Sequence, residues 1–249
     1  DVYKRQTWHS IHIVASSIKK IHPSIRWVAH LSDPWADNPF LTRFFGYKFS
    51  QYFLEKNVLS SADAINFTTN STRMLVMKKY PALWINKTFV TPHSFDRSLY
   101  PEYQLTKKNS DSFLINYLGN FYGPRNPRNF IKALIKIHNE DKDLLSNVVF
   151  RFVGKWIGNE NWKSIISELP KDLIETHPPI SYRDSLKEMA KSDLLLILDA
   201  PFNSSVFFPS KLVDYIGSGR PIFAITPKGS CFDILKQVGG IQALSLIHI

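Results

Sequence analysis

The stretch from Phe208 to Thr226 reads FPSKLVDYIGSGRPIFAIT and sets Lys211 and Asp214 three residues apart. That spacing puts both side chains on one face of a helix. Two chemistries suit the pair. One is an exposed ion pair. The other applies if the helix N-terminus, with Ser210 and Lys211, faces a ligand. Lysine then meets phosphate as a point charge, and the carboxylate one turn deeper accepts hydrogen bonds from sugar hydroxyls. The helix limits are marked in the sequence. Pro209 suits a first turn, where its missing N–H costs nothing, and Gly217-Ser218-Gly219 ends the run before Arg220-Pro221 and the strand-like Ile222-Phe223-Ala224-Ile225.

A second constellation is Gly119-Asn120-Phe121-Tyr122-Gly123-Pro124-Arg125-Asn126-Pro127-Arg128. Glycines follow a strand pattern, a helix pattern follows them, and two arginines lie in between. Backbone at Gly119 and Asn120 can approach a phosphate while Arg125 or Arg128 neutralises it. The same pattern also describes an ordinary basic strand-to-helix loop, since it is not GxGxxG. Gly154-Lys155-Trp156 is a weaker instance. Asp33 stands in the loop Ser32-Asp33-Pro34-Trp35 at a strand end, where it can orient an acceptor or cap a helix. His30, inside the same apolar run, reads first as a satisfied core histidine.

These residues need a frame that brings strand ends and helix starts together. Short apolar runs alternate with helical patterns along the whole chain, which predicts an α/β protein with parallel sheets. Helices are expected over 8–20, 43–60, 70–79, 126–139 and 182–191, and strands over 26–31, 64–68, 88–91, 113–118, 148–153 and 193–198. Residues 97–111 are polar and proline-bearing and read as a linker. The expectation is two Rossmann-like domains, 1–104 and 105–249. In an open parallel sheet, ligands sit beyond the carboxyl ends of the strands, so the loop from Asp199 to Phe208 is delivered to the site and the start of the next helix faces it.

Composition narrows the class. The chain has 249 residues, 44% of them hydrophobic, which suffices for a sizeable core. A single cysteine, Cys231, excludes a disulfide framework and a cysteine-based zinc site, and suits the cytoplasm. No apolar run reaches the roughly 18–20 residues that span a bilayer. Residues 1–110 carry 15 Lys/Arg against 7 Asp/Glu, within an overall charge of +10. Such a half suits an anionic partner, a membrane surface or lipid phosphate. Nucleic acid is not expected, because no RNP-type motif is present. Residues 43–60 hold Phe44, Phe45, Tyr47, Phe49, Tyr52 and Phe53 with Arg43, Lys48 and Lys56. This helix can pack on the sheet or dock on an anionic bilayer. The terminal hexapeptides DVYKRQ and LSLIHI do not fit the pattern around them, and are expected to be non-native ends of an internal fragment.

At these residues the chain resembles a GT-B glycosyltransferase, nearest to family 4. The matching pieces run in family order: Asp33-Pro34-Trp35; Ser61-Ala62-Asp63-Ala64-Ile65; Val90 to Asp96; Tyr117 to Tyr122; Phe152-Val153-Gly154; and Pro209 to Pro221. The resemblance implies two Rossmann-like domains, here truncated at their outer termini, with a nucleotide sugar between them. It implies a retaining transfer to a glycan or lipid-linked acceptor, in surface polysaccharide or glycolipid assembly, with no essential metal and no cofactor beyond the donor substrate. Arg125 and Lys211 would stabilise the leaving diphosphate, Asp214 would bind the ribose, and Asp33 would serve the acceptor. Gly119, Asn120 and Ser210 would line the donor site. The sequence departs from the family at Val206, where the first of two glutamates is usual, so backbone amides of residues 203–208 would hold the sugar instead. It departs again at Asn126, where a lysine is usual, leaving Arg128 as a substitute. A sugar-nucleotide epimerase of the same architecture and a non-catalytic nucleotide-sugar scaffold are the rival readings.

Overall fold

The computed structural model describes residues 9–40, 45–100, 112–157 and 162–244. The chain divides into two compact units, one running up to His93 with Val206–Phe208, the other comprising Ser94–Ser205 and everything from Pro209 onward. The domain limit expected between residues 104 and 105 lies outside the described residues.

The first unit contains α1 (Ser10–Ile21), β1 (Val28–Leu31), α2 (Phe45–Ser61), β2 (Ala64–Phe67), α3 (Asn70–Met77) and β3 (Thr88–Val90). Its three strands pair in parallel in the order β1-β2-β3. Ala29, Leu31, Ile65 and Phe67 alternate inward along the strands and bury themselves against Trp35, Val58, Leu59 and Val76. A buried carboxylate ties this core together. Glu55 accepts the Ala36 N–H (2.9 Å), the Lys79 ammonium (2.6 Å) and the Tyr80 hydroxyl (2.5 Å). α3 begins where the Thr69 hydroxyl accepts the Thr72 N–H at 3.0 Å, a side-chain N-cap.

Part of the surface of the aromatic helix packs on the core of this unit. Tyr52 packs against the core, while Phe49 and Phe53 remain exposed at 61% and 47%. Residues 41–44 lie outside the described segment.

The second unit carries β4 (Phe113–Leu118), α4 (Arg128–Glu140), β5 (Val148–Val153), α5 (Trp162–Ile166), β6 (Ile174–His177), α6 (Tyr182–Lys191), β7 (Leu194–Leu198), α7 (Ser210–Ser218), β8 (Ile222–Thr226), α8 (Ser230–Val238) and β9 (Ile241–Leu244). All six strands are parallel, in the order β6-β5-β4-β7-β8-β9. This is the doubly wound Rossmann order. The chain first builds outward from β4 to β6, then returns to β4 and builds outward the other way. The order therefore reverses between β4 and β7, and the crevice beyond their carboxyl ends is where such sheets take ligands.

The long apolar strands β4, β5 and β7 fall where their sequence predicts. β6, α5, α8 and β9 were not expected. β6 buries Ile174 alone among its four residues, so its sequence, IETH, shows no apolar run. α4 starts at Arg128, two residues later than expected, because Asn126 stays outside it and its side-chain carbonyl accepts the Arg128 N–H at 3.1 Å.

Glu55→Ala removes the acceptor of three donors at once, though Lys79 keeps Asp37 as a partner. The expected loss is about 3 kcal/mol of unfolding free energy, measured by urea denaturation. A loss below about 1 kcal/mol would show that the buried carboxylate does not organise this core.

Candidate nucleotide-binding site

The site begins with two glycines. β4 ends at Gly119, whose φ of 143° lies outside what a side chain tolerates, and its N–H donates to the Val153 carbonyl at 2.8 Å. Gly154 ends β5 so close by that a Cβ there would lie 2.1 Å from the Gly119 oxygen. A Cβ on Gly119 itself would lie 2.6 Å from Lys211 Nζ. Only bare backbone fits at this crossing of strand ends and lysine.

The loop beyond Gly119 is held rather than free. Lys155 N–H donates to Asn120 Oδ1 (2.8 Å), Phe121 N–H to the Lys155 carbonyl (2.8 Å), and Ile157 N–H to the Phe121 carbonyl (2.9 Å). The chain then turns at Gly123, with Tyr122 and Arg125 exchanging backbone hydrogen bonds of 2.9 and 3.1 Å. This turn brings Arg125 back over the strand ends. Its Nη2 donates to Asp199 Oδ1 at 2.8 Å and its Nη1 to the Tyr122 hydroxyl at 2.9 Å. Asp199 follows β7 directly, and its other oxygen accepts the Thr226 hydroxyl at 3.3 Å. The Arg125–Asp199 ion pair thus spans the point where the strand order reverses, with side chains exposed by only 11% and 1%.

α7 supplies the last component. Its N-cap is Pro209, with no side-chain cap, and it closes at Gly219, whose φ of 69° is the left-handed geometry usual at a helix C-terminus. Tyr215 Oη accepts the Leu118 N–H at 2.9 Å, which fixes the helix to the end of β4. Lys211, one turn earlier on that face, is carried over Gly119. Its Nζ sits 3.8 Å from the centre of the Tyr117 ring, buried and without a hydrogen-bond partner.

Lys211 and Asp214 do not pair, so the exposed ion pair is overturned. Asp214 Oδ1 instead accepts two hydroxyls, from Tyr100 (2.9 Å) and from Tyr182 at the start of α6 (2.8 Å). Residues 94–100 reach it by lying along α7. Arg97 Nη1 donates to the Gly217 carbonyl at 2.9 Å, and a Cβ on Gly217 would strike the Tyr100 ring at 2.6 Å.

Burial chiefly, with the Arg125 guanidinium second, holds the Lys211 amine well below the ordinary lysine range, and Asp199 opposes this only in part. Burial also raises the Asp214 carboxyl, against its two tyrosine donors. Cys231, at the start of α8, is pushed up to about 12 by burial and then by Asp199, so it is a thiol. For Arg125 burial works against the charge, but Asp199 outweighs it and the pKa rises.

The structure therefore gathers Gly119, Asn120, Arg125 and Lys211. Asp214 shares the helix but faces a different pair of partners, and Ser210 is exposed at the helix start. Arg128 is exposed as the first residue of α4. Asp33 belongs to the first unit, half-buried after β1; turns follow it through Phe40 rather than a helix, so the capping role is overturned. His30 is exposed on β1 and its Nδ1 meets Asn66 Nδ2 at 3.0 Å, which corrects the core reading. Sequence reasoning passed over Asp199, Tyr100 and Tyr182. A charged residue placed directly after the run LLLIL was the available signal for Asp199. The two tyrosines had none, because they reach Asp214 from distant segments.

No protein-family model matches the chain, and no curated protein matches it. Solved structures do match. The structure of WaaG, a glycosyltransferase involved in lipopolysaccharide biosynthesis, aligns over 96% of this chain and 70% of its own, with 16% identity and a TM-score of 0.65. A mutant of S. aureus TarM in complex with Fondaparinux, alpha-GlcNAc-glycerol and UDP aligns over 91% of this chain and 42% of its own, with 11% identity and a TM-score of 0.63. An E. coli trehalose-6-phosphate structure bound with UDP-2-fluoro glucose aligns over 92% and 58%, with 9% identity and a TM-score of 0.63. The chain thus spans about half the length of the latter two.

The fold is GT-B-like.

Within this GT-B-like chain the departure at Val206 has a structural counterpart. Val206 falls in the first unit, where its carbonyl accepts the Thr69 and Thr72 hydroxyls at 3.3 and 3.0 Å. The Ser205 N–H is already given to the Lys228 carbonyl at 2.9 Å, so that amide does not serve a ligand as expected. Among the described residues no helix is long and apolar enough to cross a membrane.

Lys211→Met keeps the length of the side chain and removes a buried, unpartnered amine. Stability should rise by about 1–3 kcal/mol. The folded state holds this amine below its unfolded value, so between the two values the unfolded chain binds the extra proton. Wild-type stability therefore climbs as pH rises toward about 10.4, and the variant should lose that part of the slope. Denaturant titrations across pH would test both, and equal or lower stability of the variant would refute the description.

Proposed function

We propose that this chain is part of a glycosyltransferase that moves a sugar from a nucleotide-sugar donor to a glycan or lipid-linked acceptor with retention, in the assembly of a surface polysaccharide or glycolipid. The observation that carries this is the gathering of Gly119, Arg125 and Lys211 at the strand-order reversal of a doubly wound parallel sheet. Bare backbone, one guanidinium and one amine converge there at the start of a helix that has no side-chain cap. Such a place is made for phosphate oxygens.

In this reading Lys211 and Arg125 hold the donor diphosphate. As the bond from the anomeric carbon to the phosphate oxygen breaks, the electron pair leaves with the diphosphate, and these two groups stabilise the charge that develops. The acceptor oxygen forms the new bond and passes its proton to the departing diphosphate oxygen. Asp214 binds the ribose through Oδ2, since both tyrosine hydroxyls are directed to Oδ1. Asn120 and Ser210 flank the phosphates, and Asp33 serves the acceptor. Exposed Phe49 and Phe53 near Lys48 and Lys56 support an acceptor presented at an anionic membrane. The two-domain organisation belongs to the same proposal, as does a cytoplasmic location.

The second reading is a non-catalytic nucleotide-sugar-binding scaffold, favoured by one observation. Arg125 is already committed to Asp199, so the basic charge free to offset a diphosphate is small. Calorimetry with a panel of nucleotide sugars, followed by hydrolysis and transfer assays, separates the two. Binding with slow donor hydrolysis is expected, whereas binding with neither hydrolysis nor transfer would leave the scaffold. Asp214→Asn preserves the shape of the side chain and should weaken nucleotide binding about tenfold or more with the fold intact by circular dichroism. Unchanged affinity would remove Asp214 from the ribose.

A further inference from the structure

Among the described residues, the groups around Lys211 come from four elements. From β4 and its loop come the Tyr117 ring beneath it and Arg125 beside it; from the end of β7 comes Asp199; from α8 comes Cys231. On its own helix, Tyr215 is occupied by Leu118 and Asp214 by Tyr100 and Tyr182. Arg125 and Asp199 cancel each other, Cys231 is a thiol, and none of the described residues accepts a hydrogen bond from Nζ. With an uncharged amine the cluster has no surplus positive charge. With a charged one it would hold an unsolvated ammonium beside a guanidinium, an arrangement that an added anion would relieve.

We propose that an anion and a proton bind this cluster together, the proton on Lys211 Nζ. The inference rests on the nucleotide-site reading above and adds to it a charge state for the site before an anion binds. In the free protein Lys211 is a neutral amine facing Gly119. An incoming phosphate supplies the oxygen acceptors that Nζ lacks and a negative charge that outweighs Arg125. The amine then takes a proton from solvent and becomes an ammonium paired with the anion. Three consequences follow. The resting site is neutral and carries no strong non-specific attraction for anions. Affinity depends on pH well above the range where phosphates titrate. Asp199 is a positioning residue, since it holds Arg125 in place and offsets the guanidinium that otherwise keeps Lys211 uncharged.

The test is calorimetric titration of UDP into the 249-residue chain. It is run at about pH 8, where the phosphates of the probe are already ionised. Buffers of differing ionisation enthalpy are compared. The observed heat should vary linearly with that enthalpy, with a slope of up to about one proton taken up per UDP, and affinity should fall by up to about tenfold per pH unit above that point. Lys211→Met should bind more weakly with no buffer dependence. Lys236→Met, on the exposed face of α8, should keep the wild-type slope. UDP binding with zero slope in the wild type would overturn the proton coupling and leave the nucleotide site standing. A slope retained in Lys211→Met would move the proton to another group and would equally overturn it. No UDP binding at any pH would remove both proposals.

Discussion

The second unit depends on what happens where β4 and β7 part. Two neighbouring parallel strands end there, their chains leave toward opposite sides, and the gap between them must be closed by something. In this protein a buried ion pair closes it. Arg125 arrives from the β4 side and Asp199 from the β7 side, and the guanidinium joins them at 2.8 Å. A pair so buried gains little net stability, because desolvating both ions offsets most of their attraction. Its value is geometric. The Tyr122–Arg125 turn, the Thr226 hydroxyl and the Ala200 N–H at 2.8 Å all gain a fixed reference from it.

Lys211 is intelligible only against that pair. A lysine could have reached Asp199 and formed an ordinary salt bridge. Arg125 has taken that carboxylate, and the backbone of Gly119 leaves the lysine no carbonyl in hydrogen-bonding position. α7 is locked to β4 through Tyr215, which carries the lysine stem over Gly119. The result is a cationic residue type held where its cation is least welcome. Buried groups of this kind reduce stability and tend to mark functional sites, since a sequence selected for packing alone would place an apolar side chain there.

Much of this was legible in the sequence, and the reasons are local. β4, β5 and β7 are continuous apolar runs because both faces of the sheet are covered, and that pattern survives without any tertiary information. Gly119 and Gly219 read as punctuation because a turn or helix end demands their backbone geometry. β6 and β9 could not be read so easily, because a short strand at the margin of a sheet buries few of its residues. The partners of Asp214 were invisible for a different reason. Helical spacing shows that Lys211 and Asp214 share a face, but a face on α7 is wide enough to meet β4 on one side and α6 on the other. Spacing fixes which side chains can meet, and only the packing of other elements decides which of them do.

Helical spacing alone can make the proposed nucleotide site look like decoration. Taken alone, a Lys-x-x-Asp pair in the first turns of a helix is most simply a surface salt bridge worth a few tenths of a kcal/mol. The structure separates its members and gives each an environment that a surface pair never has: an amine with no acceptor, and a carboxylate with two hydroxyls on one oxygen and the other left for a further donor. The two groups thus have opposite needs. Lys211 needs an anion, and Asp214 has a place for a hydroxyl one helical turn away. A molecule that carries phosphate and a vicinal diol at about that spacing satisfies both, whereas phosphate alone satisfies only the first. This pairing of unmet needs, more than the basic character of the loop, is what favours a nucleotide over a simple anion.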